Sequence, residues 1–177
     1  YLQFDDVYWG SLCNNHLKPE FEADKAQALE NIQVVLADKP ADMVITTHVC
    51  RGNFRSTYLL SGAYDPVADA LFGQTNYDGY FLEYDDERSG GFEPLKYFAQ
   101  NPHKGKVVLG LVSSKFHELE DKEAIKTRIA EAAQYVPLEQ LCLSPQCGFA
   151  STEEGNIMTE EQQWAKLRFI KEIADEV

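Results

Sequence analysis

The stretch 107–143, VVLGLVSSKFHELEDKEAIKTRIAEAAQYVPLEQLCL, decides the fold. It opens on a near-continuous apolar strand, Val107–Val112, continues into a helix from Asp121 to Tyr135, and returns to a second strand at Leu141–Leu143. A helix inserted between two strands means that the strands run parallel, joined by a right-handed crossover. Toward the C-terminus, Thr159–Val177 reads as a helix with Trp164, Leu167, Ile170 and Ile173 or Ala174 on one face. Toward the N-terminus the same alternation repeats. Gly79–Tyr84 is a strand and Glu93–Gln100 a short helix stopped by Asn101-Pro102. Met43-Val44-Ile45 is a buried strand running into Thr46–Cys50, followed by a short helix from Asp65-Pro66 through Leu71. Tyr1–Phe4 is a strand, and Glu20–Ala37 a helix that stops before Lys39-Pro40.

Five strand–helix units of this kind fit either an open doubly wound sheet or part of an eight-fold barrel. No Gly-x-Gly-x-x-Gly follows any strand, so a dinucleotide-binding sheet has no support. A complete (β/α)8 TIM barrel takes about 250 residues. The expectation is therefore an α/β chain that forms the C-terminal part of such a barrel. Residues 1–177 would belong to one domain and be completed by an N-terminal portion that pairs the two open strand edges. The chain begins on Tyr1 rather than Met, which agrees with upstream sequence being absent.

Of 177 residues, 44% are hydrophobic and 12% aromatic, ample for a packed core and too many for a disordered chain. Sixteen basic against 29 acidic side chains give a net charge of −13, which argues against a general nucleic-acid or anionic-membrane binder. No apolar run is long enough to span a bilayer. The four cysteines, Cys13, Cys50, Cys142 and Cys147, are too sparse for a disulfide framework and read as reduced thiols, with the cytoplasm as the default compartment.

The reactive side chains follow the strands. Asp5-Asp6 come after the first, His48 and Cys50 after the second, Glu83 ends the third, Ser113-Ser114-Lys115 follow the fourth and Cys147 the fifth. In a barrel these positions converge on the carboxyl face, where such enzymes build their sites. Strand ends carry polar residues in any protein, and aspartates, serines and a lysine fit that reading; a histidine with two cysteines fits it less well. His48-Val49-Cys50 places imidazole and thiol on one side of an extended chain. Alone, such a pair reads better as a partly buried histidine beside an inert cysteine. With Glu83 and Cys147 at equivalent strand ends, the balance moves toward a tetrahedral zinc site. Cys142 reads as core, Cys13 as a stray thiol in a polar loop, His16 and His103 as exposed, and His117 as a helix lead-in. Arg51 and Arg55 could bind an anionic group or neutralise Asp85, Asp86 and Glu87, and Asp85–Arg88 reads as a solvated loop.

Four stretches resemble the C-terminal catalytic barrel of cobalamin-independent methionine synthase and its shorter single-barrel relatives. They are Gln3-Phe4-Asp5-Asp6, Thr47-His48-Val49-Cys50 with Arg51-Gly52-Asn53, Phe81-Leu82-Glu83, and Ser144-Pro145-Gln146-Cys147-Gly148-Phe149. The Arg-Gly-Asn extension and Gly148-Phe149-Ala150-Ser151 are more similar to the short relatives. The resemblance implies a catalytic zinc on His48, Cys50, Glu83 and Cys147, and Asp5 on the amino group of homocysteine. It also implies methyl transfer from a 5-methyltetrahydrofolate-type donor to the homocysteine thiol, giving methionine. Two cysteinates and a carboxylate leave such a centre at net −1, a charge kept if substrate thiolate replaces Glu83, so the sulfur stays electron-rich.

Two positions depart from the long enzyme. Lys115 stands where the family's proton-donating histidine falls, and an ordinary lysine, with pKa ~10.4, is the weaker acid. Ser11 stands near a carboxylate used toward folate. Both bear on the donor rather than on the metal, and leave open another donor or delivery by a partner protein. Two rival readings remain: a metal-free decarboxylase-type relative built on the same barrel, and a zinc-binding paralogue without turnover.

Overall fold

A computed structural model describes all of residues 1–177. The apolar run at 106–112 becomes β4 (Lys106–Val112), whose residues are buried from Val107 onward because the strand is covered on both faces. It lies in a five-stranded, wholly parallel sheet with β1 (Leu2–Asp5), β2 (Ile45–Val49), β3 (Gly79–Glu83) and β5 (Leu141–Pro145), ordered β1-β2-β3-β4-β5. The connections carry α1 (Val7–Asn14) and α2 (Phe21–Ala37), then α3 (Ala68–Gln74), then two 3-10 segments at Glu87–Ser89 and Glu93–Ala99, then α4 (Lys122–Ala132); α5 (Glu160–Glu176) follows β5. Sequential order with helical crossovers is the arrangement of a partial (β/α) barrel.

Register assigns the faces. Phe4, Thr47, Tyr80 and Val107 are successive partners across β1 to β4, and this row faces the helices, with Tyr80 and Val107 fully buried. Phe72, Phe98 and Tyr80 fill the space beneath it, with Phe72 stacked on Phe98 at 4.7 Å and Tyr80 edge-on to Phe98 at 4.9 Å. The alternate row points to the barrel interior and includes Gln3, Asp5, His48, Phe81 and Glu83.

Several sequence expectations are corrected. Cys13 is not in a polar loop: residues 7–14 form α1, capped by Asp6, whose side chain accepts the Tyr8 N–H, and Cys13 is fully buried. One short helix interrupted by Gly10 offers too little periodicity to be seen in the sequence. Cys142 is exposed rather than core, because it sits on the interior face of β5, the outer strand of the sheet. Residues 93–99 wind as a 3-10 segment rather than an α-helix, a form suited to a short piece with Pro94 in its first turn. His103 is half-buried beside Asp78, at 3.4 Å, instead of exposed. His117 stays in the exposed segment that precedes α4.

α5 also turns differently. Thr159 caps it in a reciprocal capping box with Gln162, as its sequence allows, but the buried face is Lys166, Phe169, Ile170 and Ile173, and Trp164 is 52% exposed. The face is decided by Lys166, whose fully buried ammonium lies 2.8 and 3.0 Å from the two oxygens of Glu120. Glu120 in turn accepts the Ser113 N–H at 2.8 Å, so this pair ties α5 to the end of β4. Glu120→Ala strands a buried cation and is expected to lower unfolding free energy by about 3 kcal/mol. Adding Lys166→Met should recover most of that loss, both changes being read from urea midpoints.

Candidate metal centre

The interior face gathers its chemistry at the carboxyl ends of the strands. His48 is the fourth residue of β2 and Cys50 follows that strand; Glu83 ends β3; Cys147 lies two residues past β5. One ligating atom from each of His48, Cys50, Glu83 and Cys147 falls within 4.8 Å of the others. The two sulfur atoms are 3.9 Å apart, His48 Nε2 is 3.5 Å from Glu83 Oε1, and all four cysteines are free. Glu83 has no solvent exposure, while Cys147 is partly open.

β4 supplies no ligand, and its role is spatial. Gly110 is the partner of both Glu83 and Ser144, and a Cβ there would stand 2.7 Å from Gln146 Cα and 2.8 Å from the Leu82 carbonyl oxygen. A bare backbone at this point lets the chain leaving β5 fold in toward β3, which carries Cys147 to the centre.

His48 is oriented from both nitrogens. Nδ1 lies 2.7 Å from Asp5 Oδ1, and Nε2 lies 3.0 Å from the Gln146 carbonyl. Burial disfavours the imidazolium, but the bonds to Asp5 and Glu83 and the charge of Cys147 outweigh it and push His48 up to about 10. Asp5 is held below the usual carboxylate range by its bond to His48. The Cys147 thiol is drawn down to about 6, chiefly by the hydrogen bond from Cys50, while Cys50 moves far up because it holds the shared proton and is buried. The sulfur pair thus loses one proton readily and the other with difficulty.

The donor set fits a divalent cation of zinc type: one imidazole nitrogen, two sulfurs and one carboxylate oxygen. Two further observations agree. Glu83 accepts the Arg51 N–H on Oε1 at 2.9 Å but leaves Oε2 buried without a partner. Asp5 occupies Nδ1 of His48, which directs Nε2 toward the other donors, the carboxylate–histidine arrangement found around metal-bound imidazoles.

The remaining sequence candidates are distributed as follows. Lys115 is 2% exposed, its ammonium has no hydrogen-bond partner, and its charge acts on Asp85, whose carboxyl is nevertheless raised by burial. Asp5 is two-thirds open to solvent, at 67% side-chain exposure. Ser11 is half-buried in α1, its hydroxyl accepting from Asn15. Arg51 is not an anion site: it is fully buried, its guanidinium lying 4.5 Å from the Tyr64 ring and donating to the Gly62 carbonyl. Neither Arg51 nor Arg55 pairs with the acids at 85–87; Arg88 pairs with two of them, donating to Asp86 at 2.5 Å and Asp85 at 3.4 Å while lying over Tyr58. That segment is accordingly folded inward, with the Asp85 side chain only 3% exposed.

Three participants were not singled out in the sequence. Gln146 gives its carbonyl to His48 and its side-chain oxygen to the Ser114 N–H and hydroxyl. Asn53 and Ser151 lie in the loops behind Cys50 and Cys147 and are bonded to one another. The signal available for Asn53 was the Arg-Gly-Asn extension next to Cys50; a backbone carbonyl such as that of Gln146 leaves none.

Residues 2–175 match the family described as cobalamin-independent synthase, catalytic domain. Two uncharacterized proteins of Bacillus subtilis (strain 168), YxjG and YxjH, are 53% and 51% identical over 184 aligned residues that include the whole chain. The chain spans about half, 48%, of the length of each. Among solved structures, a Listeria monocytogenes protein provisionally described as a vitamin-B12-independent methionine synthase superposes with TM-score 0.74 at 42% identity, over 99% of this chain and 48% of that one. A B12-independent methionine synthase from Shewanella sp. W3-18-1, in complex with selenomethionine, superposes with TM-score 0.71 at 17% identity, over 98% and 47%, a likeness of fold. No helix is long and apolar enough to cross a membrane. With its sheet order, its match along almost the entire length and its partial barrel, the chain belongs to the cobalamin-independent methionine synthase family.

Proposed function

We propose that this chain carries the catalytic end of a zinc-dependent methyltransferase that moves a methyl group from a 5-methyltetrahydrofolate-type donor to the thiol of homocysteine, giving methionine. The observation that carries the reading is the convergence of His48, Cys50, Glu83 and Cys147, four residues from three strand ends, with ligating atoms within 4.8 Å of one another. These four would hold the zinc, whose contribution when bound is to make a thiol a thiolate at neutral pH. The metal-free decarboxylase alternative leaves a paired-sulfur donor set without a purpose.

The chain's own groups divide the remaining work. Asp5 fixes His48 through Nδ1 and, being two-thirds exposed, offers carboxylate surface to the substrate ammonium. The Arg51 N–H restrains Glu83 at one oxygen. In the transfer, a sulfur–carbon bond forms and the donor's nitrogen–carbon bond breaks, so that nitrogen must take up a proton. We assign that delivery to Lys115, which follows β4 and whose buried ammonium has no hydrogen-bond partner. Residues 1–177 are read as the C-terminal portion of one barrel, with an N-terminal part pairing the outer edges of β1 and β5 and completing the substrate pocket.

Elemental analysis of the intact protein should find one zinc per chain, falling to near zero in Cys50→Ser or Cys147→Ser; zinc-free wild type removes the reading. Asp5→Ala is expected to weaken zinc by about 10–100-fold in a chelator competition, because His48 loses its orienting partner. Incubation of the intact, zinc-loaded protein with homocysteine and methyltetrahydrofolate should yield methionine. Zinc binding with no methionine would favour a paralogue without turnover, in keeping with lysine in place of histidine at position 115.

A further inference from the structure

The loops behind β2 and β5 hold the two sulfur atoms, and one amide joins them. Asn53, 7% exposed, donates from Nδ2 to the Gly148 carbonyl at 2.7 Å and to Ser151 Oγ at 2.9 Å. A hydroxyl has one proton and two lone pairs. Since Ser151 accepts from Asn53, its own proton is left to point elsewhere, and Cys147 Sγ lies 3.9 Å from the oxygen. Cys50 has a matching neighbour in the Gly52 N–H, 3.4 Å from its sulfur. Each sulfur therefore has a hydrogen-bearing group of its own loop within 3.9 Å, the Gly52 N–H for Cys50 and the Ser151 hydroxyl for Cys147, and the latter is held by Asn53 from across the site.

Holding the loops together does not require this arrangement. Ser56 N–H to Asn156 Oδ1 at 3.1 Å, Ile157 N–H to Ser56 Oγ at 2.8 Å, and Asn156 Nδ2 to the Ser114 carbonyl at 2.8 Å already fasten their outer parts. The first two of these bonds also hold Ser56, which has a left-handed backbone conformation, φ 65°. The Asn53 amide acts further in, on the segment that carries Cys147.

Resting on the zinc reading above, we propose that Asn53 and Ser151 are positioning residues for the Cys147 ligand. Asn53 turns the Ser151 hydroxyl so that it donates to the Cys147 sulfur. The bond fixes the direction of that sulfur and withdraws part of its charge. A metal held by Cys147 would feel both effects, through binding strength and through the energy of sulfur-to-metal charge transfer.

The test uses the full chain, with zinc titrated against a chromophoric chelator and cobalt(II) as the spectroscopic substitute. Ser151→Ala, at an exposed position, should weaken zinc by about 10-fold. It should also move the thiolate-to-cobalt band to lower energy, because the sulfur regains charge. Ser151→Thr keeps the hydroxyl and should restore both values. Asn53→Asp keeps the shape but replaces the donating amide with an acceptor, and should reproduce the Ser151→Ala spectrum; if that variant does not fold, the serine pair decides. A purely structural role predicts an unmoved band in Ser151→Ala, whose Asn53–Gly148 bond is intact. Wild type that binds zinc while Ser151→Ala binds and absorbs identically overturns this inference and leaves the zinc reading standing. Wild type that binds no zinc overturns both.

Discussion

Glu83 is a carboxylate with no solvent exposure at the end of the central strand, and the neighbouring residues are arranged to make that burial tolerable. An ion removed from water costs several kcal/mol unless opposite charge and hydrogen bonds surround it. Here β2 supplies both. Its exit brings the Arg51 N–H onto Oε1 and places His48 Nε2 3.5 Å away, while the buried Arg51 guanidinium lies against Tyr64. The Tyr64 hydroxyl accepts the Glu83 backbone N–H at 3.0 Å and so fixes the end of β3, while Oε2 stays without a partner. One glutamate is thus tied directly to the segment after β2, at the residue next to Cys50.

The second constraint is the pleat. In parallel strands held in register, alternate residues point to the same side, so Asp5, His48 and Glu83 share the interior face. A one-residue slip of any strand would turn its reactive side chain into the layer of helices. β5 obeys the same rule only up to its last pair, where the register with β4 shifts between Gly110 and Val112. The irregularity and the absence of a side chain at Gly110 together explain how a residue beyond the strand, Cys147, reaches a centre otherwise built from β2 and β3.

These two rules also mark what the sequence could disclose. Strand ends are visible as apolar runs that give way to polar residues, so His48, Cys50, Glu83 and Cys147 could be brought together before any coordinates. The burial of Cys13 could not, since it depends on an eight-residue helix interrupted by Gly10. Exposure of Cys142 was equally hidden, because apolar neighbours in a strand say nothing about whether that strand is outermost in the sheet. The face of α5 was read correctly at Ile170 and Ile173 but not at Trp164, because lysine counts as polar in any periodicity, whereas Lys166 is buried by its pairing with Glu120. Arg88 took the neutralising role that the sequence offered to Arg51 for a similar reason: charge at a loop is legible, but its partner is set by packing on Tyr64 and Tyr58.

The distance along the chain between the parts of the centre has a consequence for assembly. His48 meets the Gln146 carbonyl across 98 residues, and the two strands involved are separated in the sheet by β3 and β4. Closing a loop of that length yields nothing until its intervening segments are ordered, so the contact belongs to the late part of folding. A nascent chain that has emerged only as far as β4 holds the histidine, one thiol and the carboxylate, but lacks Cys147, the fourth donor of the candidate site. Completion of β5 and the gathering of the four donor residues are one event.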